Sequence, residues 1–160
     1  MEQVITVGLA EIAVSDNPDA VLVAFGLGSC VGVCAYDPVR KLAGLLHAML
    51  PQQRNGDGNK CKYVDSGVAE LLSQLMARGA RREQLTFRYA GGAQMLTAPG
   101  MTDRFNIGKQ NAEMAHSVLA REKLQLLASD TGGHAGRTVR LFVANGRVQV
   151  RMINGDERAL

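Results

Sequence analysis

The sequence has no tryptophan and few aromatic residues of any kind, which make up 4% of its 160 residues. Proteins that bind single-stranded nucleic acid stack the bases on aromatic side chains, and this chain offers few such platforms. The net charge is only +3, and the surplus lies in residues 81–160, where 12 lysines and arginines face 7 acidic residues without forming clusters. The composition therefore argues against a nucleic-acid-binding protein, whereas the basic second half is compatible with an acidic protein partner.

The chain also lacks long apolar runs and low-complexity segments. No stretch approaches the roughly 20 apolar residues that a membrane span needs, and residues 1–4 lack the basic start and apolar core of a signal peptide. With 46% hydrophobic and 21% charged residues, the composition is that of a globular protein. We expect a single domain over residues 1–160, located in the cytoplasm and not inserted in a membrane.

Cysteine is scarce, with three residues at positions 30, 34 and 61. An odd number without a paired framework is typical of a reducing compartment, where thiols stay free. We therefore predict no disulfide bonds. The glycine-rich segment "GLGS" (26–29) leads directly into Cys30, which raises the question of whether this thiol is a packing residue or a nucleophile.

The hydrophobic pattern predicts a mixed α/β domain with more strand than helix and with antiparallel hairpins at both ends. Residues 30–36 alternate, which places Val31 and Val33 on one face of a strand and Cys30 and Cys34 on the other. The dipeptide at 145–146, Asn-Gly, is typical of a type I′ hairpin turn. The predicted strands cover residues 4–7, 21–25, 30–36, 41–49, 85–90, 124–128, 138–144 and 147–153, and the predicted helices cover residues 63–78 and 107–121.

The predicted hairpin of residues 30–49 places Cys30 near His47. Residues 37–40 (Asp-Pro-Val-Arg) can form a four-residue turn between the strands 30–36 and 41–49. In that register Cys30 lies directly opposite His47. Opposed side chains on one face have Cβ atoms about 4.5–5.5 Å apart, which is within reach of a thiol–imidazole hydrogen bond. The pairing depends on the turn, because a shift of one residue moves the side chains to the other face.

A thiol beside an imidazole is the arrangement of a cysteine nucleophile with its general base. Gly26 and Gly28, together with Ser29, leave the backbone free to turn, so that N–H groups near Cys30 can point at a developing oxyanion. Cysteine is also a frequent core residue. The residues alone therefore leave both a structural and a catalytic thiol open.

Two other interpretations of the same residues have less support. The segment "GLGSCVG" (26–32) begins like a dinucleotide-binding fingerprint, but its third glycine is displaced and a strand, not a helix, follows. Cys30, Cys34, His47 and Cys61 lack the short Cys-x-x-Cys spacing of structural zinc sites. We set the fingerprint aside, keep a metal site as a secondary alternative, and expect no cofactor.

The segment "GLGSCVGVCAYDP" (26–38) followed by "GLLHAMLP" (44–51) closely resembles the chemoreceptor glutamine deamidase family, CheD. The segments "GGAQML" (91–96), "NIGKQN" (106–111) and "DTGGHAGRTVRLFVANGRVQV" (130–150) also match family blocks, in family order. The resemblance covers most of the chain and rests on a specific set of motifs. It implies a single-domain three-layer α/β sandwich, similar to bacterial toxin deamidases, with mixed, largely antiparallel sheets and two main helices.

The resemblance implies a cysteine hydrolase that converts receptor glutamines to glutamates without a cofactor. It assigns the nucleophile to Cys30 and the general base and acid to His47. From the glycine-rich turn we expect backbone support for the oxyanion at Gly28 and Ser29. The third catalytic residue of the family is a threonine six positions before the cysteine, where this chain has Ala24. Because alanine has no hydroxyl, the imidazole needs a substitute partner, such as a backbone carbonyl or another side chain, or the triad is impaired.

The resemblance also implies partners and alternative functions. The expected substrates are the cytoplasmic domains of methyl-accepting chemotaxis receptors, and some family members are also receptor methylesterases. Members associate with a CheC-type phosphatase where one exists, so an inactive adaptor is an alternative that Ala24 keeps open. A transglutaminase is a third candidate, because an amine can resolve a thioester in place of water.

Overall fold

The computed structural model describes residues 1–95 and 106–160. Leu96, the last residue of the segment "GGAQML", lies outside the described residues. The strands of the described chain are β1 (Gln3–Thr6), β2 (Glu11–Ser15), β3 (Ala20–Leu27), β4 (Val31–Asp37), β5 (Leu42–Ala48), β6 (Thr86–Gly91), β7 (Gln125–Thr131), β8 (Arg137–Phe142), β9 (Val148–Met152) and β10 (Glu157–Ala159). The α-helices are α1 (Val64–Ala77) and α2 (Ile107–Arg121).

These strands form two five-stranded sheets. Sheet A has the order β1-β3-β8-β9-β10, and sheet B has the order β2-β5-β4-β6-β7. The pairs β1–β3 and β6–β7 are parallel, and the remaining pairs in both sheets are antiparallel. The predicted mixed, largely antiparallel α/β architecture is confirmed.

The sheets and helices make three layers with two apolar cores between them. One core lies between the helices and sheet B and includes Val31, Val33 and Leu71. The other lies between the two sheets and includes Leu22, Cys34 and residues of β8 and β9. The alternation predicted for β4 is confirmed, because its valines face the helices and Cys34 faces sheet A.

The sequence pattern missed β2 and β10, which are two of the edge strands. Both lie at the outer position of their sheet, and β10 is fully exposed. An edge strand pairs on one side only, and when it is short it carries little of the apolar alternation that identifies a strand. Of the helices that the structure describes, none combines the length and the apolar character needed to cross a membrane.

The turn between β8 and β9 differs from the predicted type I′ turn. The loop runs over residues 143–147, and the N–H of Gly146 donates to the carbonyl of Phe142 at 2.8 Å. A type I′ turn requires positive φ at both central residues. Here Gly146 has a φ of 75° and Asn145 does not have a positive φ, so the loop is longer than predicted.

The β4–β5 hairpin also forms one residue later than predicted. The Asp37 side chain accepts hydrogen bonds from the N–H groups of Val39 and Arg40, at 2.9 and 3.1 Å, and Lys41 takes a positive φ of 52°. Asp37 therefore remains in β4, where it pairs with Leu42. This change shifts the register by two residues, so that His47 pairs with Gly32 and not with Cys30.

Candidate active site

Cys30 and His47 lie on the same face of sheet B, although they are not directly opposed. A register shift of two residues preserves the alternation of faces. Cys30 directly precedes β4 and is half-buried against the core between the sheets. His47 is 4% exposed and lies on β5 opposite Gly32. The structure thus places the predicted pair as diagonal neighbours on the inter-sheet side.

The imidazole of His47 is oriented by a backbone carbonyl. Its Nδ1 lies 3.0 Å from the carbonyl oxygen of Val7. Because a carbonyl only accepts hydrogen bonds, Nδ1 carries a proton and Nε2 of the neutral ring has a free lone pair. Nε2 is buried and has no hydrogen-bond partner among the described residues. A base needs this tautomer to accept a proton from a thiol.

Backbone hydrogen bonds hold the segment around Val7 against both sheets. Its N–H donates to the carbonyl of Val23 in β3 at 2.8 Å, and the N–H of Ala10 donates to the carbonyl of His47 at 2.9 Å. The connection from β1 to β2 therefore passes over His47 and is tied to both sheets. This placement makes the Val7 carbonyl a stable partner for the ring.

Ala24 faces the same region. It is fully buried in the core between the sheets, and a Cβ built on Gly32 would lie 3.9 Å from the Ala24 Cβ. Gly32 is the residue that pairs with His47. Position 24 therefore faces the residue that pairs with His47, but the Nδ1–H of the ring donates to the carbonyl of Val7.

The loop that carries Cys30 is held by the segment that follows β6. The carbonyl of Gly28 accepts from the N–H of Ala93 at 2.8 Å, and the carbonyl of Cys30 accepts from the N–H of Gly92 at 2.9 Å. The N–H of Ser29 donates to no described residue, and the N–H of Cys30 interacts with the thiol of its own side chain. A backbone donor of this kind can bind a substrate oxygen, and the oxyanion site at Gly28 and Ser29 stays a prediction.

Burial raises the pKa of all three thiols. Burial raises the pKa of Cys30, and its own backbone N–H offsets part of that rise. Burial raises the pKa of the fully enclosed Cys34 to about 12, although the Arg88 charge opposes this rise. Burial and the nearby Glu70 raise the pKa of Cys61. Cys30 in the free protein is thus a thiol, and its reaction as a nucleophile requires a base to remove the proton.

The four residues of the alternative metal site do not converge. Within residues 1–95 and 106–160, no group of three or more histidine, cysteine or acidic side chains is arranged to hold a metal ion. Cys61 packs against the core on the helix side of sheet B, whereas Cys30 and Cys34 face sheet A. The sheet itself therefore separates these thiols.

Sequence reasoning missed one residue of the site, Asn111 on α2. It is completely buried, and its Nδ2 donates to the carbonyls of Ser29, at 2.8 Å, and Met49, at 2.9 Å. The signal was present in the sequence, because Asn111 occupies the buried face of α2 together with Gly108, Ala115, Val118 and Leu119. An amide on an otherwise apolar helix face needs buried partners, and such partners often belong to a site.

The architecture places this protein among α/β domains in which two sheets pack face to face and one of them is covered by helices. A crystal structure of a Neisseria meningitidis protein of the DUF152 family shares this fold, with a TM-score of 0.51 at 10% sequence identity. The match covers 82% of this chain and 64% of that chain. At this level of identity the likeness concerns the fold.

Sequence comparison finds relatives at much higher identity than this structural neighbour. The family model described as CheD chemotactic sensory transduction matches residues 49–152. The chain is 43% identical, over 96% of its length and 95% of the relative's, to the "Probable chemoreceptor glutamine deamidase CheD" of Symbiobacterium thermophilum. It is 39% identical, over the full length of both chains, to the "Chemoreceptor glutamine deamidase CheD" of Halalkalibacterium halodurans. The chain belongs to the CheD family.

Proposed function

We propose that this protein is a protein-glutamine deamidase that converts glutamine to glutamate on the cytoplasmic domains of chemotaxis receptors, with Cys30 as nucleophile and His47 as general base and acid. One observation carries the proposal. A buried histidine, oriented by the Val7 carbonyl at 3.0 Å, has an unpartnered Nε2 on the same face as a half-buried cysteine. The names of the relatives supply the substrate class.

The reaction begins with a proton transfer. His47 Nε2 takes the proton of the Cys30 thiol, and the sulfur attacks the side-chain amide carbon of the glutamine. The N–H groups of Ser29 and Cys30 bind the oxyanion that forms. The imidazolium then returns the proton to the amide nitrogen, the carbon–nitrogen bond breaks, and ammonia leaves a thioester on Cys30.

Water completes the cycle. His47, neutral again, takes a proton from a water molecule that attacks the thioester carbon, and the carbon–sulfur bond breaks. The proton on the imidazolium returns to the sulfur, so the net change is glutamine plus water to glutamate plus ammonia. A receptor methyl ester would follow the same steps with methanol as the leaving group. The chain itself supplies all the groups used in these steps.

The test is mass spectrometry of a purified receptor cytoplasmic domain after incubation with the wild type and with Cys30→Ala. We expect glutamine-to-glutamate conversion and ammonia release with the wild type and neither with Cys30→Ala. Cys61→Ala is the matched control, because that thiol lies on the other side of sheet B, and it should retain activity.

Other outcomes identify the alternatives. Conversion that persists in Cys30→Ala contradicts the assignment of the nucleophile. Receptor or phosphatase binding without any conversion by the wild type supports the adaptor function and contradicts the deamidase. Incorporation of an added primary amine into the glutamine product, in place of hydrolysis, identifies a transglutaminase.

A further inference from the structure

The two strands that carry Cys30 and His47 separate at the site. The last paired residues of the β4–β5 ladder are Val31 and Ala48. Beyond them the carbonyl of Cys30 accepts from Gly92, and the N–H of Met49 donates to the carbonyl of Lys62 at 2.9 Å. At the level of the candidate nucleophile, the backbones of the two strands thus bond to other segments.

Asn111 spans this gap with a single amide group. Its Nδ2 lies 2.8 Å from the carbonyl oxygen of Ser29 and 2.9 Å from that of Met49. Ser29 directly precedes Cys30, and Met49 follows His47 by two residues. An amide nitrogen carries two hydrogens, so each hydrogen holds one side of the site.

Asn111 is fully buried. Its Oδ1 has no hydrogen-bond partner among the described residues. An unsatisfied buried acceptor destabilises a fold, and such groups are often retained where they serve a site. The two carbonyls would themselves be left without this donor if the amide were removed.

We propose that Asn111 is a positioning residue for the deamidation reaction, setting the separation between the Cys30 loop and the end of the His47 strand. This inference rests on the proposed function of Cys30 and His47. Proton transfer between a thiol and an imidazole depends steeply on their distance and angle, and a displacement of about 1 Å can lower a rate about 100-fold. Asn111 acts through the backbone and does not contact the substrate.

The test compares Asn111→Ala and Asn111→Asp with the wild type on a receptor cytoplasmic domain. Both variants lose the bridging amide, and the aspartate keeps its size. We expect kcat to fall about 10–100-fold with little change in KM, because Asn111 is buried and does not contact the receptor. Val118→Ala, which removes buried atoms from the same helix face, is the matched control and should retain kcat.

A second measurement does not require receptor turnover. Iodoacetamide alkylation of the three cysteines is followed by mass spectrometry at a fixed pH below the Cys30 pKa. Burial raises that pKa, so loosening the loop should lower it, increase the thiolate fraction and accelerate alkylation of Cys30 relative to Cys61. Cys34 is completely enclosed and reacts only if the protein unfolds. It therefore reports whether each variant is folded.

The outcomes separate the two proposals. A folded Asn111→Ala with normal kcat and a normal Cys30-to-Cys61 alkylation ratio overturns the positioning role, as does an equal effect of Val118→Ala. If Asn111→Asp unfolds, the positioning role is tested with Asn111→Ala alone, because this variant introduces no charge. The measurement is then made below the melting temperature of Asn111→Ala. If the wild type does not deamidate receptors, the proposed function fails, and the alkylation ratio still decides whether Asn111 holds the Cys30 loop.

Discussion

At the scale of single residues, a backbone carbonyl orients the imidazole of His47. The family resemblance implies a threonine at the position of Ala24, but here the Nδ1–H of His47 donates to the carbonyl of Val7. Backbone carbonyls often hold a histidine in one tautomer, and this partner cannot rotate away from the ring. The alanine is therefore compatible with an active site.

Restoring the hydroxyl provides a residue-scale prediction. We expect Ala24→Thr and Ala24→Val to have the same kcat on a receptor domain. Threonine and valine are similar in shape, and the Val7 carbonyl already orients the His47 ring. Both add bulk to a fully buried position and should lower the free energy of unfolding by about 1–3 kcal/mol. If the threonine variant is about tenfold or more faster than the valine variant, the carbonyl is not a sufficient substitute.

At the scale of elements, close backbone contacts bring helix α2 to the site. A Cβ on Gly108 would lie 2.1 Å from the carbonyl oxygen of Ala93, and one on Gly92 would lie 2.6 Å from the carbonyl oxygen of Gly108. A Cβ on Gly91 would likewise lie 2.2 Å from the carbonyl oxygen of Cys30. The glycines of "GGAQML" and "NIGKQN" thus allow β6, its following loop and α2 to pack against the Cys30 loop.

This packing gives an element-scale prediction with an unusual sign. Glycine-to-alanine changes inside a helix normally stabilise it by up to about 1 kcal/mol. We expect Gly108→Ala instead to lower the free energy of unfolding by about 1–3 kcal/mol, because the methyl group meets backbone that cannot rotate away. Deamidase activity should fall as well, since α2 carries Asn111. Urea denaturation and ammonia release measure the two effects.

The control for that variant is Gly58→Ala. No heavy atom lies within 4 Å of a Cβ built at Gly58, and its φ is not positive. Stability and activity should therefore stay close to those of the wild type. A stabilised and fully active Gly108→Ala would show that α2 can move away from the loop without consequence.

At the scale of the whole molecule, a buried ion pair connects the two sheets beside the site. Asp130 in β7 of sheet B and Arg137 in β8 of sheet A lie 2.7 Å apart, with side chains 3% and 2% exposed. Arg137 also donates to the backbone carbonyls of Asp130 and Gly132. The turn between β7 and β8 supports the loop after β6, because the N–H of Gln94 donates to the carbonyl of Gly133 at 2.9 Å.

Removing one charge of this pair should destabilise the molecule strongly. We expect Arg137→Ala to lower the free energy of unfolding by about 3–5 kcal/mol, because Asp130 keeps a buried charge that loses its enclosed partner. Arg158 also contacts Asp130, at 2.6 Å, but its side chain is 65% exposed. Arg158→Ala should therefore change stability by about 0–1 kcal/mol. Equal losses for the two variants in urea denaturation would contradict this difference.

Much of this architecture was predictable from the order of residues. The helical repeat of apolar residues identified both helices, and the alternation in residues 30–36 assigned Val31 and Cys34 to opposite faces, as the structure confirms. These predictions succeed because they depend on local periodicity and burial. The candidate nucleophile and base were also assigned to one face of one hairpin, and that assignment holds in the structure.

Only the tertiary structure decided three features of the site. They are the register of the β4–β5 pair, the partner of His47 and the contacts of Asn111. A shift of two residues leaves every side chain on its own face, so the burial pattern cannot distinguish the two registers. The observed register is the one in which Asp37 accepts hydrogen bonds from Val39 and Arg40. Val7 lies 40 residues from His47 in the chain, and Asn111 lies 82 and 62 residues from Ser29 and Met49. The sequence by itself determined most of the elements, their faces and the reactive residue types. Contacts between distant segments carry no local pattern, so only the packing of the layers could determine which groups orient and hold the site.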